Sequence, residues 1–231
     1  MAQELGLESG RRLIDLSHAV EDGMITYKGL PAPVISDFLS RERSRANYAE
    51  GTEFHIGKIE MVANTGTYLD TPSHRFADGD DLSGLALESV AGLDAVLIDV
   101  AGRQERGVGR GDFGAIDLRG KAVLVHTGWD AHWRTDTYAS GEQPFLTREA
   151  AHHLIKSGAR LVGIDSLNID DAPADGTRPA HTTLLRAGIP IVEHLTGLDQ
   201  LPLSGFRITA APARVAGLAT FPVRAYAVIE A

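Results

Sequence analysis

A single mixed α/β domain spanning residues 1–231 is predicted by three features of the sequence. Four short runs rich in Val, Ile and Leu (95–100, 122–126, 160–165 and 189–195) carry Gly or polar residues at their flanks, as interior strands do. Helix signals alternate with the later runs, which is the pattern of α/β architecture. Outside this region lie segments with strand character and no intervening helix.

The elements follow in order. Residues 54–63 alternate with a phase slip near Gly57, which suits an antiparallel strand with a bulge. Residues 102–114 are Gly-rich and charged and read as a surface loop. Between the second and third apolar runs, Thr147 is placed to cap a helix. Ala151, Leu154 and Ile155 form its apolar stripe, and Gly158 ends it. A shorter helix over 181–187 stops at Gly188. Residues 206–211 and 224–230 are further strands.

Composition excludes several classes of function. The chain has 22 basic and 31 acidic residues, a net charge of -9, so a general nucleic-acid or anionic-membrane surface is not expected. It has no cysteine, which removes disulfides, thiolate catalysis and Cys-based zinc sites. Any transition metal must use His, Asp, Glu, Asn or Tyr. No apolar run approaches the ~20 residues of a membrane span, and residues 1–10 lack the apolar core of a signal peptide. A cytoplasmic location is expected.

Two stretches carry chemistry. In residues 64–74, NTGTYLDTPSH, Gly66 and Pro72 mark irregular backbone just after a strand, where sites are often displayed. Asp70 and His74 stand there in a loop-like context, although Asp and His near Pro also make ordinary turns. In residues 178–195, RPAHTTLLRAGIPIVEHL, His181 opens the short helix, and alternation puts Ile189, Ile191 and Glu193 on one strand face. A carboxylate on an apolar face is costly unless a cation, a metal or good donors meet it. Arg178 or Arg186 would satisfy Glu193; so would a divalent cation shared with His181.

These residues resemble the cyclase family, which includes bacterial kynurenine formamidase and isatin hydrolase. That family carries the motif His-x-Gly-Thr-His-x-Asp-x-Pro-x-His, and this chain matches it at Gly66, Thr67, Asp70, Pro72 and His74. A downstream His and an acidic or amide residue occur at the spacing of His181 and Glu193. Further matching segments are DLSH at 15–18, HTGW at 126–129 and GIDS at 163–166, so the resemblance runs through most of the chain in order. It implies a mixed α/β hydrolase, a homo-oligomer (dimer or tetramer), that opens a C–N amide or a lactone or ester bond in a small, aromatic molecule. It implies Asp70, His181 and Glu193 as ligands of one divalent ion, zinc or manganese, and His74 as the catalytic acid/base. Such an ion lowers the pKa of water towards ~7 and polarises the carbonyl under attack.

The motif is altered at two positions, where Asn64 and Tyr68 replace His. Asn offers only a neutral carbonyl, and Tyr must lose a proton of pKa near ~10 before it ligates well. A dinuclear centre is therefore not expected. Three readings stay open: a mononuclear enzyme in which Tyr68 donates to an oxyanion, a metal-free enzyme (a lyase or dehydratase acting through His74 and Tyr68), and a ligand-binding protein without turnover. Asn64, Phe54 and Trp129 are expected to contact the substrate, with Tyr27 and Trp133 as further aromatic surface.

Other signals carry less. Residues 109–114 fit G-x-G-x-x-G but follow no strand-to-helix step. Ser166 lacks a nucleophile-elbow motif. His152 and His153 belong on the polar side of their helix, His55 and His126 read as satisfied strand histidines, and His194 should face away from Glu193, packed or hydrogen-bonded.

Overall fold

The four apolar runs become the parallel centre of a nine-stranded sheet in a computed structural model, which describes residues 10–171 and 176–230. The expectation about residues 1–10 falls, but for Gly10, outside the described residues. In chain order the strands are β1 (Arg11–Asp15), β2 (Val34–Leu39), β3 (Ile56–Glu60), β4 (Tyr68–Asp70), β5 (Leu93–Asp99), β6 (Gly107–Val108), β7 (Ala122–His126), β8 (Phe145–Leu146), β9 (Leu161–Ile164), β10 (Ile191–Glu193), β11 (Ser204–Thr209), β12 (Thr220–Pro222) and β13 (Tyr226–Glu230). The helices are α1 (Arg41–Ser44), α2 (Arg148–Lys156) and α3 (Pro179–Arg186). The main sheet runs β1-β13-β11-β5-β7-β9-β10-β4-β12. Strands β5, β7, β9 and β10 are parallel, and antiparallel strands close both sides.

Alternation along the central strands separates two cores. Leu97, Leu124 and Val192 face one with Leu16, Phe206 and Ile208, while Ile98, Val125, Ile164 and Ile191 face the other, under α2 and α3. Helix α2 forms as its signals require: the Thr147 hydroxyl accepts from the Ala150 amide, and Ala150, Ala151 and Leu154 are buried. Gly163 is required by close approach. A Cβ there would sit 2.7 Å from the Leu195 side chain and 2.8 Å from that of Leu124, so the site strand could not pack so tightly with any larger residue.

Three expectations need correction. The segment around Asp70 is a strand, not a loop; β4 is only three residues long and contains two polar side chains, so its burial left no apolar pattern to read. The irregularity expected at Gly57 lies on the partner strand instead, between Asp37 and Leu39 of β2. Helix α3 begins at Pro179, two residues earlier, because Asp170 caps it by accepting from the Ala180 and His181 amides at 2.6 and 3.1 Å. Residues 109–114 do form a loop, with a short 3-10 turn at Arg110–Phe113. No helix among the described residues is long and apolar enough to cross a membrane.

Candidate active site

Register explains how the site is assembled. In the antiparallel pair β4–β10, Asp70 lies opposite Ile191 and Tyr68 opposite Glu193; across β4, Thr220 of β12 lies opposite Asp70. Facing residues on neighbouring strands share a side, so Tyr68, Asp70, Glu193 and Thr220 all project to the α3 face. This is at the carboxyl end of the parallel strands, where open α/β sheets form their crevices. Helix α3 then brings His181 over the same spot.

Asp70, His181 and Glu193 are essentially buried, at 0%, 5% and 1% exposure. His181 Nε2 lies 3.6 Å from Asp70 Oδ2 and 3.6 Å from Glu193 Oε1. Its other nitrogen, Nδ1, is 2.7 Å from Asp170 Oδ2. An ionised Asp170 accepts a hydrogen bond from Nδ1–H, so Nε2 is the nitrogen aimed between the two carboxylates, an arrangement typical of a metal-binding imidazole. Burial pulls the His181 pKa down, but the Glu193 charge, the bond to Asp170 and the Asp70 charge override it and push it up to about 10. Burial raises Glu193 to about 7 against the pull of His181. Two buried carboxylates around one imidazole thus demand a cation, whether a proton or a metal ion.

Asp70 Oδ2 has no hydrogen-bond partner among the described residues although it is fully buried. Asp70 Oδ1 accepts from the Thr220 hydroxyl. The same Thr220 oxygen is 3.0 Å from His74 Nδ1, so the His74 Nδ1 proton points to Thr220 and Nε2 is free. His74 ends the 3-10 turn Pro72–His74, with its side chain 34% exposed at the cavity rim. Ligand atoms of Asp70, His74 and His181 lie within 4.8 Å of one another. An orphaned carboxylate oxygen and two imidazole nitrogens make a donor set that fits zinc or manganese.

Tyr68 is a hydrogen-bond donor in the site. Its hydroxyl donates to Glu193 Oε2 at 2.8 Å, while Glu193 Oε1 accepts from the Ile169 amide at 2.6 Å. Burial first, then the charges of Glu193 and Asp70, hold the Tyr68 pKa well above 10, so the phenol stays a donor. Behind it, His194 Nε2 lies 3.4 Å from the Tyr68 hydroxyl and His194 Nδ1 lies 2.8 Å from the Tyr138 hydroxyl. With Tyr68 donating onward, one directional chain runs from Tyr138 through His194 and Tyr68 to Glu193. His194 is therefore hydrogen-bonded, as expected, but to the back of the site.

Burial, assisted by His18, drives the His194 pKa down to about 3. The unfolded chain takes up this proton as pH falls below ~6.5 and the folded chain does not, so the stability is present above ~6.5 and is lost as pH falls towards 3. Urea unfolding of chelated protein between pH 7 and 5 should show His194→Gln losing up to about 1.4 kcal/mol per pH unit of the acid slope. An unchanged slope would remove His194 from this account.

The cavity above these residues measures about 490 Å³ and is lined by Tyr27, Asn64, Tyr68, His74, His181 and Glu193, with Asn168 and three cations at its edge. Asn64 and Tyr27 thus stand where substrate contact was expected. Phe54 and Trp129 do not. Phe54 is 53% exposed and packs edge-on against Tyr48, and Trp129 donates its indole N–H to the Tyr138 carbonyl while packing on His132. Trp133 stacks on His18 at 3.9 Å. Neither Arg178 nor Arg186 reaches Glu193; Arg186 pairs with Asp78 and lies over the Phe76 ring. His55 is an exposed partner of Asp37, His126 bonds Asp99, His153 packs on Phe113, and the Ser166 hydroxyl is spent on the Pro144 carbonyl. Asp170 and Thr220 were missed by sequence reasoning. Asp170 caps α3 from nine residues before Pro179, too far along the chain for a capping motif to show it.

The Cyclase family model matches residues 14–171. The kynurenine formamidase of Geobacillus thermodenitrificans is 30% identical over 213 residues, covering 92% of this chain and 95% of that protein. That of Erythrobacter litoralis is 26% identical over 215 residues, covering 90% and 89%. Isatin hydrolase A from Labrenzia aggregata shares the fold, with a TM-score of 0.82 at 23% identity over 96% of this chain and 94% of that one. A potential metal-dependent hydrolase with cyclase activity has a TM-score of 0.77 at 25% identity, over 96% and 99%. With one family model spanning most of its length and a relative at 30% identity over nearly all of it, the chain belongs to the cyclase family.

Proposed function

We propose that this chain is a metal-dependent hydrolase that opens the amide C–N bond of a small aromatic molecule. The observation that carries the reading is Asp70 Oδ2, a fully buried carboxylate oxygen without a hydrogen-bond partner among the described residues, with His181 Nε2 facing it at 3.6 Å. The relatives named kynurenine formamidase and the structural neighbours named isatin hydrolase supply the bond type.

Asp70 and His181 would hold one divalent ion, zinc or manganese, with Glu193 as the third ligand. When bound, the ion supplies Lewis acidity towards the amide carbonyl and a more acidic water. The protein's own groups do the rest. Asp170 fixes the His181 ring, Tyr68 and the Ile169 amide fix Glu193, and the free Nε2 of His74 accepts the proton of the attacking water and returns it to the leaving nitrogen. Tyr27 and Leu30 offer the apolar wall for an aromatic ring. A second arrangement, with His74 as the third ligand in place of Glu193, is favoured by the compact grouping of Asp70, His74 and His181.

The test is hydrolysis of formanilide by protein loaded with zinc or manganese. Turnover should disappear after chelation and return with the metal; turnover unaffected by chelation would overturn the reading.

The same proposal includes a homo-oligomer and a cytoplasmic location. The β2–β3 ribbon exposes Val34, Ile35, Phe38, Ile56 and Ile59 at 45–66% and packs neither face into its own chain. A second copy of the chain would cover such a surface, and light scattering of the purified protein reads its mass directly.

A further inference from the structure

The positive charge at the mouth of the cavity is at odds with the rest of the molecule. The chain carries a net charge of -9, yet Lys28, Arg75 and Arg178 line the cavity edge. Arg75 and Arg178 continue into an adjoining cleft of about 350 Å³, where Arg148 joins them with Pro179 and Thr182. Among the described residues, no carboxylate lines that cleft. The only one among the described residues that lines the main cavity, Glu193, already accepts from Tyr68 and Ile169.

The arginines Arg103, Arg106 and Arg134, elsewhere on the surface, are matched with Asp112, Asp171 and Glu21. Those of the cleft are not. Arg75 bonds the Thr182 hydroxyl at 3.3 Å and Arg178 the Thr177 carbonyl at 2.8 Å, and neither they nor Arg148 have an ion-pair partner among the described residues. Three guanidinium groups around one cleft repel one another unless an anion joins them, and the planar fork of each suits a carboxylate. Their placement ties them to the chemistry. Arg75 directly follows His74, and Arg178 directly precedes the helix that carries His181.

We propose that Arg75, Arg148 and Arg178 form a carboxylate-binding subsite beside the amide-cleaving centre, so that the substrate is an anionic amide. This rests on the hydrolase reading above. Water adds across the C–N bond: the acyl carbon gains the hydroxyl, the nitrogen gains the proton, and the carboxylate held by the arginines is unchanged. The substrate carboxylate would lie on the portion of the molecule that reaches past His74 towards α2.

The experiment compares formanilide with 2-formamidobenzoate, which differ only by the carboxylate, in the metal-loaded enzyme. We expect kcat/KM to favour the acid at least tenfold, the preference to fall with added salt, and the Arg75→Gln/Arg178→Gln variant to bring the pair within about twofold. Equal kcat/KM for the two in the parent enzyme, or a preference that survives in the double variant, overturns the subsite. If neither is hydrolysed, the hydrolase reading fails on its own terms. The subsite is then read by calorimetry, with 2-aminobenzoate expected to bind at least tenfold more tightly than aniline and to lose that advantage in the double variant. Equal binding, or competition by inorganic phosphate alone, overturns it.

Discussion

Replacing His181 with Ala should lower kcat/KM for an aryl formamide by at least about a thousandfold, about 4 kcal/mol of transition-state stabilisation. His181 is the group on which the site converges: one nitrogen is fixed by Asp170, and the other faces Asp70 and Glu193 at 3.6 Å each. Without the imidazole, the two carboxylates retain the charge to attract a cation but lose the nitrogen donor that selects a transition metal. Asp170→Asn should be milder, about 10–100-fold in metal affinity, because it disturbs the tautomer and orientation of the ring and the α3 cap but leaves the ligands in place. Circular dichroism of both variants separates loss of the site from loss of the fold. A His181→Ala protein that folds and retains activity within tenfold of the parent would contradict the role assigned to this residue.

His74→Gln is the second large effect, an expected fall of about 10²–10⁴ in kcat with the metal retained. His74 differs from the other site residues in being at the rim, one-third exposed, and held by a single hydrogen bond to Thr220. Those are the attributes of a group that meets substrate and exchanges protons rather than of a buried ligand. Metal content distinguishes the alternatives. If His74→Gln loses its metal together with its activity, His74 is the third ligand and Glu193 is not. If it loses neither, His74 has no part in the reaction.

Much of this architecture was legible in the sequence because its central strands are buried on both faces. Runs such as 122–126 have no polar member until His126, so their apolar character survives any register. The Thr147 cap and the glycine after α2 were legible for the same local reason. What escaped was structure built from polar residues or from very short pairings. Tyr68 and Asp70 are completely enclosed in a sheet between β10 and β12, but nothing in Tyr-Leu-Asp announces a strand. Of the site, Asp70, His74, His181 and Glu193 are brought together as the family motif implies. Asp170 and Thr220, which orient two of them, come from segments with no motif of their own.

Aromatic residues show the opposite failure. Phe54 and Trp129 look equally suited to a substrate pocket, yet one is on the exposed ribbon and the other is held by Tyr138. Residue type alone does not say which way a ring faces. Tyr68 also acquires a role that the motif could not give: the phenol is a fixed donor to Glu193, backed by His194 and Tyr138.

The measurement that bears most directly on the central claim is elemental analysis of protein purified without chelator or a His-tag, beside a His181→Ala/Glu193→Ala variant. About one equivalent of zinc or manganese per chain, lost in the variant, is the result this account predicts. No bound metal in the parent protein even after loading, or the same content in both proteins, would contradict it.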